Sequence, residues 1–170
     1  MFITPVIQAL VEKTAKLLVE RNEFVAVSEN CCGGLISSYL VSVNGASQFF
    51  VGGTTTYALR CRLVLSGWSE ADVASYTGPS EEVALRLARN LKFELGATYT
   101  LAETGWTGRH ETDGWHMDDG EAFFAISGPA ENVSRTVTSN TDDRQQNMEW
   151  FAQEALRFLL ETIEKRANNL

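Results

Sequence analysis

Apolar side chains recur every three to four positions in several stretches of the chain, which is the spacing of amphipathic helices. Thr4 and Pro5 favour the start of the first helix, because threonine caps free N–H groups and proline suits the first helical turn. Asn22 and Gly96 favour helix ends, since both residue types adopt left-handed backbone conformations readily. The pattern predicts helices over residues 5–21, 35–41, 69–76, 80–95 and 144–167.

Runs of apolar or β-branched residues lie between these helices and are typical of buried strands. They predict strands over residues 24–27, within 48–59, and over 97–102, 121–127 and 133–139. Residues 104–120 contain four glycines and are predicted to form a long irregular loop. Alternating helices and strands favour an α/β fold, a three-layer α/β/α sandwich with a mixed β-sheet, with residues 1–170 as a single domain.

Composition narrows the classes of function. The chain has 14 Lys and Arg against 22 Asp and Glu, so its net charge is −8. We therefore expect neither nucleic acid nor an anionic membrane as a partner, since both attract positive patches. Charged and amide residues interrupt the first apolar stretch, which argues against a secretory or membrane-spanning segment and for a cytoplasmic protein.

The three cysteines are Cys31, Cys32 and Cys61. An odd number with two adjacent residues does not form a disulfide framework. We interpret them as small apolar side chains in a reducing compartment. A nucleophilic or metal-binding cysteine is the alternative.

Four loops carry candidate chemistry. The first, residues 28–34, follows a strand and opens a helix with two glycines, so its N–H groups either bind an anion or form a tight turn. In the second, Ser47 is a nucleophile if a base lies near it, or an ordinary turn residue. In the fourth, residues 142–144, Arg144 either binds an anionic ligand or lies in solvent beside a helix cap.

The third loop runs over residues 103–120. Thr104, Gly105 and Arg109 are suited to binding a phosphate group. His110 and His116 lie near aspartates, but their spacing matches no standard metal motif. We therefore expect a solvated polar loop and no bound metal.

These loops, in this order, resemble the motifs of the CinA C-terminal domain family. The family's first motif, A-E-S-C-T-G-G, is SENCCGG here, at residues 28–34. The third and fourth motifs, T-G-I-A-G-P and G-D-R, resemble residues 104–109 and 142–144, and S-E-E-V-A resembles residues 80–84. The second motif, G-S-S-x-x-F with G-x-x-x-Y-x-x-x-x-K, is matched at Gly45, Ser47, Phe50, Gly53 and Tyr57, with Arg62 in place of the lysine.

The resemblance implies a three-layer sandwich, a homodimer and hydrolysis of the carboxamide of nicotinamide mononucleotide without metal or cofactor. That reaction releases ammonia and leaves the carboxylate. By resemblance Ser47 is the nucleophile and Tyr57 assists its activation, with Arg62 beside them in the catalytic group. The residues predicted to bind the substrate, from the same motif loops, are Asn30, Cys31, Gly33, Gly34, Glu103, Thr104, Gly105, Arg109 and Arg144.

The departures from the family motifs fall on the chemistry. Arg62 replaces a lysine, and a guanidinium keeps its proton at neutral pH, so it stabilises an oxyanion but does not act as a base. Asn30 removes a hydroxyl group that could relay a proton. Glu103 stands where the family usually has a neutral residue. We predict that Glu103 forms a buried ion pair with Arg62, with a replacement general base as the alternative.

Three hypotheses about function remain open at this point. The first is a nicotinamide-nucleotide amidohydrolase whose activity is reduced or lost. The second is a non-catalytic protein that binds a pyridine nucleotide or another small anion. The third is a dimeric scaffold with an empty pocket. Ammonia release separates the first hypothesis from the others, and calorimetry with the nucleotide separates the second from the third.

Overall fold

Local signals in the sequence fix the ends of most helices. The structure, a computed structural model, describes residues 3–108, 110–112, 115–117 and 119–167. The Thr4 hydroxyl accepts a hydrogen bond from the Ile7 N–H at the first helix, and Asn22, just after its end, has a φ of 51°. The helices are α1 (Pro5–Glu20), α2 (Leu35–Val41), α3 (Leu59–Leu65), α4 (Glu70–Ala74), α5 (Glu81–Leu95) and α6 (Arg144–Ala167).

Five strands form one mixed sheet. The described strands are β1 (Val25–Glu29), β2 (Phe50–Thr55), β3 (Tyr99–Trp106), β4 (His110–Thr112), β5 (Trp115–Met117), β6 (Glu121–Ser127) and β7 (Asn132–Thr138). The order in the main sheet is β2-β1-β3-β6-β7, with β2, β1 and β3 parallel and β6 and β7 antiparallel to their neighbours. β4 and β5 form a separate antiparallel pair.

Helices cover both faces of the sheet. α1, α2 and α6 pack on one face over the larger apolar core, which includes Leu18, Leu101 and Phe151. α5 packs on the other face over β1, β3, β6 and β7. The prediction of a three-layer α/β/α sandwich with a mixed sheet is confirmed. Within the described residues, no helix is both long and apolar enough to cross a membrane.

Two predicted segments differ from the structure. The stretch 104–120 is not an irregular loop throughout, because β3 continues to Trp106 and β4 and β5 pair as antiparallel strands. Gly105 permits this pairing, since a Cβ at this position would lie 2.2 Å from the Glu121 carbonyl oxygen. The predicted strand within 48–59 is shorter than that range, and the helix α3 that begins at its end was not predicted.

Candidate active site

The candidate site lies where three parallel strands end. β1, β2 and β3 run in the same direction, so their carboxyl ends meet at one edge of the sheet, the usual position for ligands in α/β folds. Residues 30–34 follow β1, and Tyr57 follows β2. Thr104 lies near the end of β3. The chain thus gathers three of the four motif loops at this edge.

Glu29 holds the start of α2. Its Oε2 atom accepts hydrogen bonds from the N–H groups of Gly34 (2.9 Å) and Ile36 (3.0 Å), and its Oε1 atom accepts one from Ser37 (2.8 Å). These N–H groups are among those that a helix start leaves unpaired, so the carboxylate stabilises α2 directly. Gly34 has a φ of 104°, a conformation that strongly favours glycine.

Glu103, on the neighbouring strand β3, stabilises the turn of residues 30–32 that lies between β1 and α2. Its Oε1 atom accepts hydrogen bonds from the N–H groups of Asn30 (3.2 Å) and Cys31 (2.7 Å), and its Oε2 atom accepts one from Cys32 (2.7 Å). Glu103 is fully buried. Burial raises the pKa of this carboxyl group, and the hydrogen bonds from the turn oppose that rise.

The two carboxylates together change the interpretation of residues 28–34. A binding loop needs N–H groups that face the ligand. Here Glu29 and Glu103 accept six of the N–H groups between residues 30 and 37. The placement of Cys31, Gly33 and Gly34 therefore serves the turn itself, and their predicted contact with substrate stays a prediction.

Cys31 and Cys32 are buried against the Glu103 carboxylate. The Cys32 side chain lowers the pKa of the Cys31 thiol, but burial and the charge of Glu103 outweigh it and raise this pKa to about 11. Burial also raises the pKa of Cys32. The ligand atoms of these three residues lie within 4.8 Å of one another, yet both Glu103 oxygens already accept N–H groups. Protonated thiols neither attack a substrate nor bind a metal well, so we assign this cluster a structural role.

We expect Cys31 and Cys32 to resist alkylation. With a pKa of about 11, Cys31 is a thiolate in only about one molecule in a thousand at pH 8. Iodoacetamide at pH 8 should therefore label the partly exposed Cys61 and leave the other two cysteines unmodified until the protein is unfolded. A Cys61→Ser variant is the control. Rapid labelling of Cys31 in that folded variant, seen by peptide mass spectrometry, would contradict the assignment.

Asn30 joins the turn after β1 to the segment after β2. Its Nδ2 atom donates hydrogen bonds to the carbonyl oxygens of Thr56 (2.7 Å) and Tyr57 (3.4 Å). Asn30 is 6% exposed. In this arrangement it positions Tyr57 through the backbone.

Tyr57 and Arg144 meet at the surface of this edge. Arg144 Nη2 donates a hydrogen bond of 3.0 Å to the Tyr57 phenol oxygen, and the guanidinium carbon lies 5.9 Å from the ring centroid. Tyr57 is 61% exposed, so both groups can reach a ligand from solvent. Asp143 caps the amino end of α6, because its Oδ1 atom accepts a hydrogen bond of 3.0 Å from the Gln146 N–H. This cap fixes the position of Arg144.

Arg62 lies beside Thr104, on the face of the sheet opposite to the Glu103 side chain. Its Nη2 atom is 3.4 Å from the Thr104 hydroxyl oxygen, and its guanidinium carbon lies 4.9 Å from the ring centroids of both Trp68 and Tyr76. Arg62 is 1% exposed, and within the described residues its Nε and Nη1 atoms have no hydrogen-bond partner. A buried guanidinium without a counter-charge is costly, so this position suits an anionic group of a ligand.

Arg86 lies at the same Trp68 ring but, unlike Arg62, is paired with a carboxylate. Its guanidinium also lies 4.9 Å from the Trp68 centroid, but it donates two hydrogen bonds to Asp72, at 2.7 and 2.6 Å. These bonds from Arg86 hold the pKa of Asp72 well below its ordinary value. Of the two arginines at this ring, Arg62 alone lacks a carboxylate partner among the residues that the structure describes.

The predicted ion pair between Arg62 and Glu103 is wrong. No ion pair or hydrogen bond joins these two described residues; Glu103 accepts the N–H groups of the turn, and Arg62 contacts Thr104. Successive side chains of a strand point to opposite faces of the sheet. Glu103 and Thr104 are successive residues of β3, so a group that contacts Thr104 lies across the sheet from Glu103.

Ser47 lies at the opposite end of strand β2 from Tyr57, where the parallel strands begin. It is exposed, in a short 3-10 turn (Ala46–Gln48) that precedes β2. β2 has six residues, and at about 3.3 Å per residue it separates Ser47 from Tyr57 by roughly 16 Å or more. One chain therefore does not bring Ser47 to Tyr57 and Arg62. The predicted roles of these three residues stay predictions.

The remaining candidates and the missed residues complete the site. Arg109 lies outside the described residues. Gly105 serves the β3–β6 pairing described above. Sequence reasoning missed Trp68 and Tyr76, because they lie six and fourteen residues after Arg62 and only the fold brings their rings to its guanidinium. It also missed Asn147, whose Nδ2 atom donates to the carbonyl oxygens of Thr107 (3.1 Å) and Thr141 (2.8 Å) and joins two motif loops; nothing in the local sequence indicates this role.

The geometry can now be compared with known proteins. The sequence pattern described as "CinA C-terminal domain" matches residues 7–163. This chain belongs to the CinA C-terminal domain family. A CinA-like protein of Prochlorococcus marinus (strain AS9601) is 35% identical over 119 residues, which is 69% of this chain and 27% of that protein. A CinA-like protein of Frankia casuarinae is 35% identical over 71% of this chain and 28% of its own length. The chain thus spans little more than a quarter of these two relatives.

Solved CinA structures have the same fold. A competence or damage-inducible protein from Enterobacter asburiae aligns with a TM-score of 0.84 and 22% identity, over 92% of this chain and 98% of that one. The competence/damage-inducible protein CihA from Agrobacterium tumefaciens aligns with a TM-score of 0.85 and 19% identity, over 94% of this chain and 96% of that one. At this level of identity the CinA structures support the fold of the chain and leave its reaction open.

Proposed function

We propose that this chain is a nicotinamide-nucleotide amidohydrolase of the CinA type with low activity. One observation carries the proposal: near the carboxyl edge of the sheet, in a chain of this family, Arg144 donates a hydrogen bond to Tyr57 and Arg62 lies 3.4 Å from the Thr104 hydroxyl oxygen. Two arginines at one edge of a chain with net charge −8 form a local positive site for a small anion. A pyridine mononucleotide carries such an anion in its phosphate group.

The reaction that we propose splits the carbon–nitrogen bond of the carboxamide. One chain keeps Ser47 and Tyr57 roughly 16 Å or more apart, so the reaction needs the homodimer that the family resemblance implies. In that dimer the hydroxyl oxygen of the partner's Ser47 adds to the carboxamide carbon while its proton passes to the Tyr57 oxygen, and the Tyr57 proton passes to the amide nitrogen. The nitrogen leaves as ammonia, and an ester with Ser47 remains. Water then hydrolyses this ester to the carboxylate and restores the hydroxyl group, so no other reactant is consumed.

Arg62 makes this reaction slow. It stabilises the negative oxygen of the tetrahedral intermediate, which is a task for a charged donor. A guanidinium does not take up a proton at neutral pH, so Arg62 cannot act as the base that removes the proton of the attacking hydroxyl group. A general base contributes on the order of 10²–10⁴ in rate, and we expect a deficit of this size.

A second candidate function is binding of the same nucleotide class without turnover. The two unpartnered nitrogens of Arg62 favour it, because a carboxylate or phosphate of the ligand would satisfy both. A pyridine nucleotide that already carries a carboxylate offers Arg62 a second anionic group, whereas the carboxamide is neutral.

Ammonia release and calorimetry test the two functions together. With nicotinamide mononucleotide, we expect slow ammonia release that Ser47→Ala abolishes, and binding heat that Arg144→Ala reduces. Ser69→Ala, a cap of the short helix α4, is a control that should change neither measurement. Binding heat without ammonia release would favour the second function. No heat at millimolar nucleotide and no ammonia would leave only the scaffold hypothesis.

A further inference from the structure

We propose that residues 68–77 form a flap that closes over Arg62 and opens to let an anionic ligand reach its guanidinium. The flap contains α4 and carries both of the rings that contact Arg62, those of Trp68 and Tyr76. This inference rests on the proposed function for the identity of the ligand alone, because the motion of the flap is required by the packing around Arg62.

Arg62 is closed to solvent in this conformation. Its guanidinium carbon lies 4.9 Å from the ring centroids of Trp68 and Tyr76, and the residue is 1% exposed. Within the described residues, the Nε and Nη1 atoms of Arg62 are buried without an acceptor, and so is the Nε1 atom of Trp68. Buried donors without an acceptor are costly, and an anion would satisfy them. No anion reaches these atoms unless the covering rings move.

A glycine with a positive φ lies at each end of the flap. Gly67 has a φ of 62° and Gly78 has a φ of 128°. Glycine changes its backbone angles at lower cost than other residues, and the hinges of moving segments often lie at small residues. The two glycines therefore allow residues 68–77 to move as a unit while α3 and α5 keep their positions.

Few apolar groups attach the flap to the rest of the protein. α4 has five residues, and none of them is buried. Trp68, Val73 and Tyr76 pack in or against a second apolar cluster, which includes Ala84 and Leu87 of α5. Segments with few buried apolar contacts open locally at a lower free energy than the core of a protein. The flap is thus a region in which local opening is expected.

An ion pair between Asp72 and Arg86, the latch, fastens the flap to α5. The two Nη atoms of Arg86 donate hydrogen bonds to the two carboxylate oxygens of Asp72, at 2.7 and 2.6 Å. The same guanidinium lies 4.9 Å from the Trp68 ring centroid. The side chains of Asp72 and Arg86 are 26% and 43% exposed, so water and salt weaken the attraction between them. The latch therefore favours the closed state without making it permanent.

Closure lowers the apparent affinity of Arg62 for any anion. A ligand that binds only the open state has its apparent affinity reduced by the fraction of molecules that are open. Loss of the latch should raise this fraction about two- to fivefold, which is the range for exposed ion pairs. The same factor should appear in the accessibility of Arg62 and in its affinity for a ligand.

Modification by phenylglyoxal, a dicarbonyl reagent specific for arginine, measures the opening without any ligand. Peptide mass spectrometry should show that Arg62 reacts far more slowly than the exposed Arg144 in the wild-type protein. Asp72→Asn should raise the rate at Arg62 about two- to fivefold and leave the rate at Arg144 unchanged. Glu161→Gln is the matched control, because it removes a similarly exposed ion pair, that with Arg135 between α6 and β7.

Two outcomes of this measurement would overturn the flap. One is an equal rate at Arg62 in Asp72→Asn and in the wild-type protein. The other is a rate that rises with urea in parallel with global unfolding, because local opening exposes little surface and depends only weakly on urea. Ser69→Ala is a control within the flap; it keeps both bonds between Arg86 and Asp72, so it should leave the rate unchanged.

A reversible cross-link tests the closed state directly. In a Cys61→Ser background, the double variant Asp72→Cys/Arg86→Cys lacks the latch and should react at Arg62 as fast as Asp72→Asn. A short bifunctional thiosulfonate reagent that joins the two introduced thiols should then protect Arg62 from phenylglyoxal, and a reductant should restore the reaction. The single variant Asp72→Cys, treated in the same way, is the control. Modification of Arg62 that a verified cross-link does not slow would overturn the proposal.

Nicotinamide mononucleotide separates the flap from the proposed function. If the nucleotide binds at Arg62, its affinity in calorimetry should rise in Asp72→Asn by the same factor as the modification rate, and it should protect Arg62 from phenylglyoxal. A rate that depends on the latch, without protection by millimolar nucleotide, would keep the flap and overturn the binding role of Arg62. Protection by the nucleotide, with a rate that does not depend on the latch, would keep the proposed function and overturn the flap.

Discussion

Replacing Glu103 by alanine is expected to lower the free energy of unfolding by about 3–5 kcal/mol. The Glu103 carboxylate accepts three buried N–H groups of residues 30–32, and the substitution leaves all three without a partner. Each unpaired buried donor costs about 1–3 kcal/mol, and relaxation of the turn recovers part of the sum. Urea denaturation at pH 7 measures the change, and thermal unfolding should shift down by roughly 10 °C.

Glu103→Gln is the matched control for shape. The amide keeps one acceptor oxygen and the size of the side chain, so we expect a loss of about 1–2 kcal/mol. An alanine variant as stable as the glutamine variant would contradict the role that we assign to the hydrogen bonds.

The difference in stability between the wild-type protein and Glu103→Gln is expected to depend on pH. Burial raises the pKa of Glu103 in the folded protein above its ordinary value of 4.5. The folded protein then keeps a proton that the unfolded chain releases, so this stabilisation is complete below pH 4.5 and is lost as the pH rises through the folded pKa. The stability of wild-type relative to Glu103→Gln should therefore fall as the pH rises from 4.5. Parallel stability–pH curves for the two proteins would argue against a raised pKa.

Replacing Arg62 by lysine, together with Asn30→Ser, is expected to raise ammonia release by about 10²-fold or more. A lysine at this position would lie near the rings of Trp68 and Tyr76 and away from solvent. Burial favours its neutral form, and we expect this effect to outweigh the attraction of the ring faces for a cation. A neutral amine accepts a proton, whereas a guanidinium does not. The serine restores the hydroxyl group that Asn30 replaces.

The measurement is an ammonia assay with nicotinamide mononucleotide over a range of pH. The double variant should gain an ascending limb in its rate profile where the lysine loses its proton, and the wild-type protein should lack that limb. Arg86→Lys is the matched control, because Arg86 contacts the same Trp68 ring but is paired with Asp72. If the double variant and the wild-type protein both release no ammonia, the amidohydrolase proposal is to be abandoned.

Helix ends could be predicted because their causes are local. Thr4, Pro5 and Asn22 act on residues within one turn, so the sequence alone locates both ends of α1. The sandwich itself follows from the alternation of helices and strands. The end of β3 could not be predicted, because Gly105 is favoured there by its contact with Glu121, which is distant in sequence.

The sequence predicts which segments form the candidate site, but not which of their side chains contact one another. The motifs singled out residues 28–34, Tyr57, Thr104 and Arg144, and the parallel strands β1, β2 and β3 then bring the first three to one edge of the sheet. The partner of Glu103 depends on which face of β3 its side chain occupies, and one residue of register reverses that face. The sequence places Ser47 before the strand predicted within residues 48–59, but only the bounds of β2, Phe50–Thr55, show how far Ser47 lies from Tyr57.

The N–H groups of the turn after β1 are satisfied from inside the protein by Glu29 and Glu103. A phosphate-binding loop made of backbone cannot change its ligand without a change of fold. In the function that we propose, the charge that meets an anion comes instead from arginine side chains on α3 and α6. Single substitutions could therefore redirect the protein to another small anion during evolution while the scaffold stays intact.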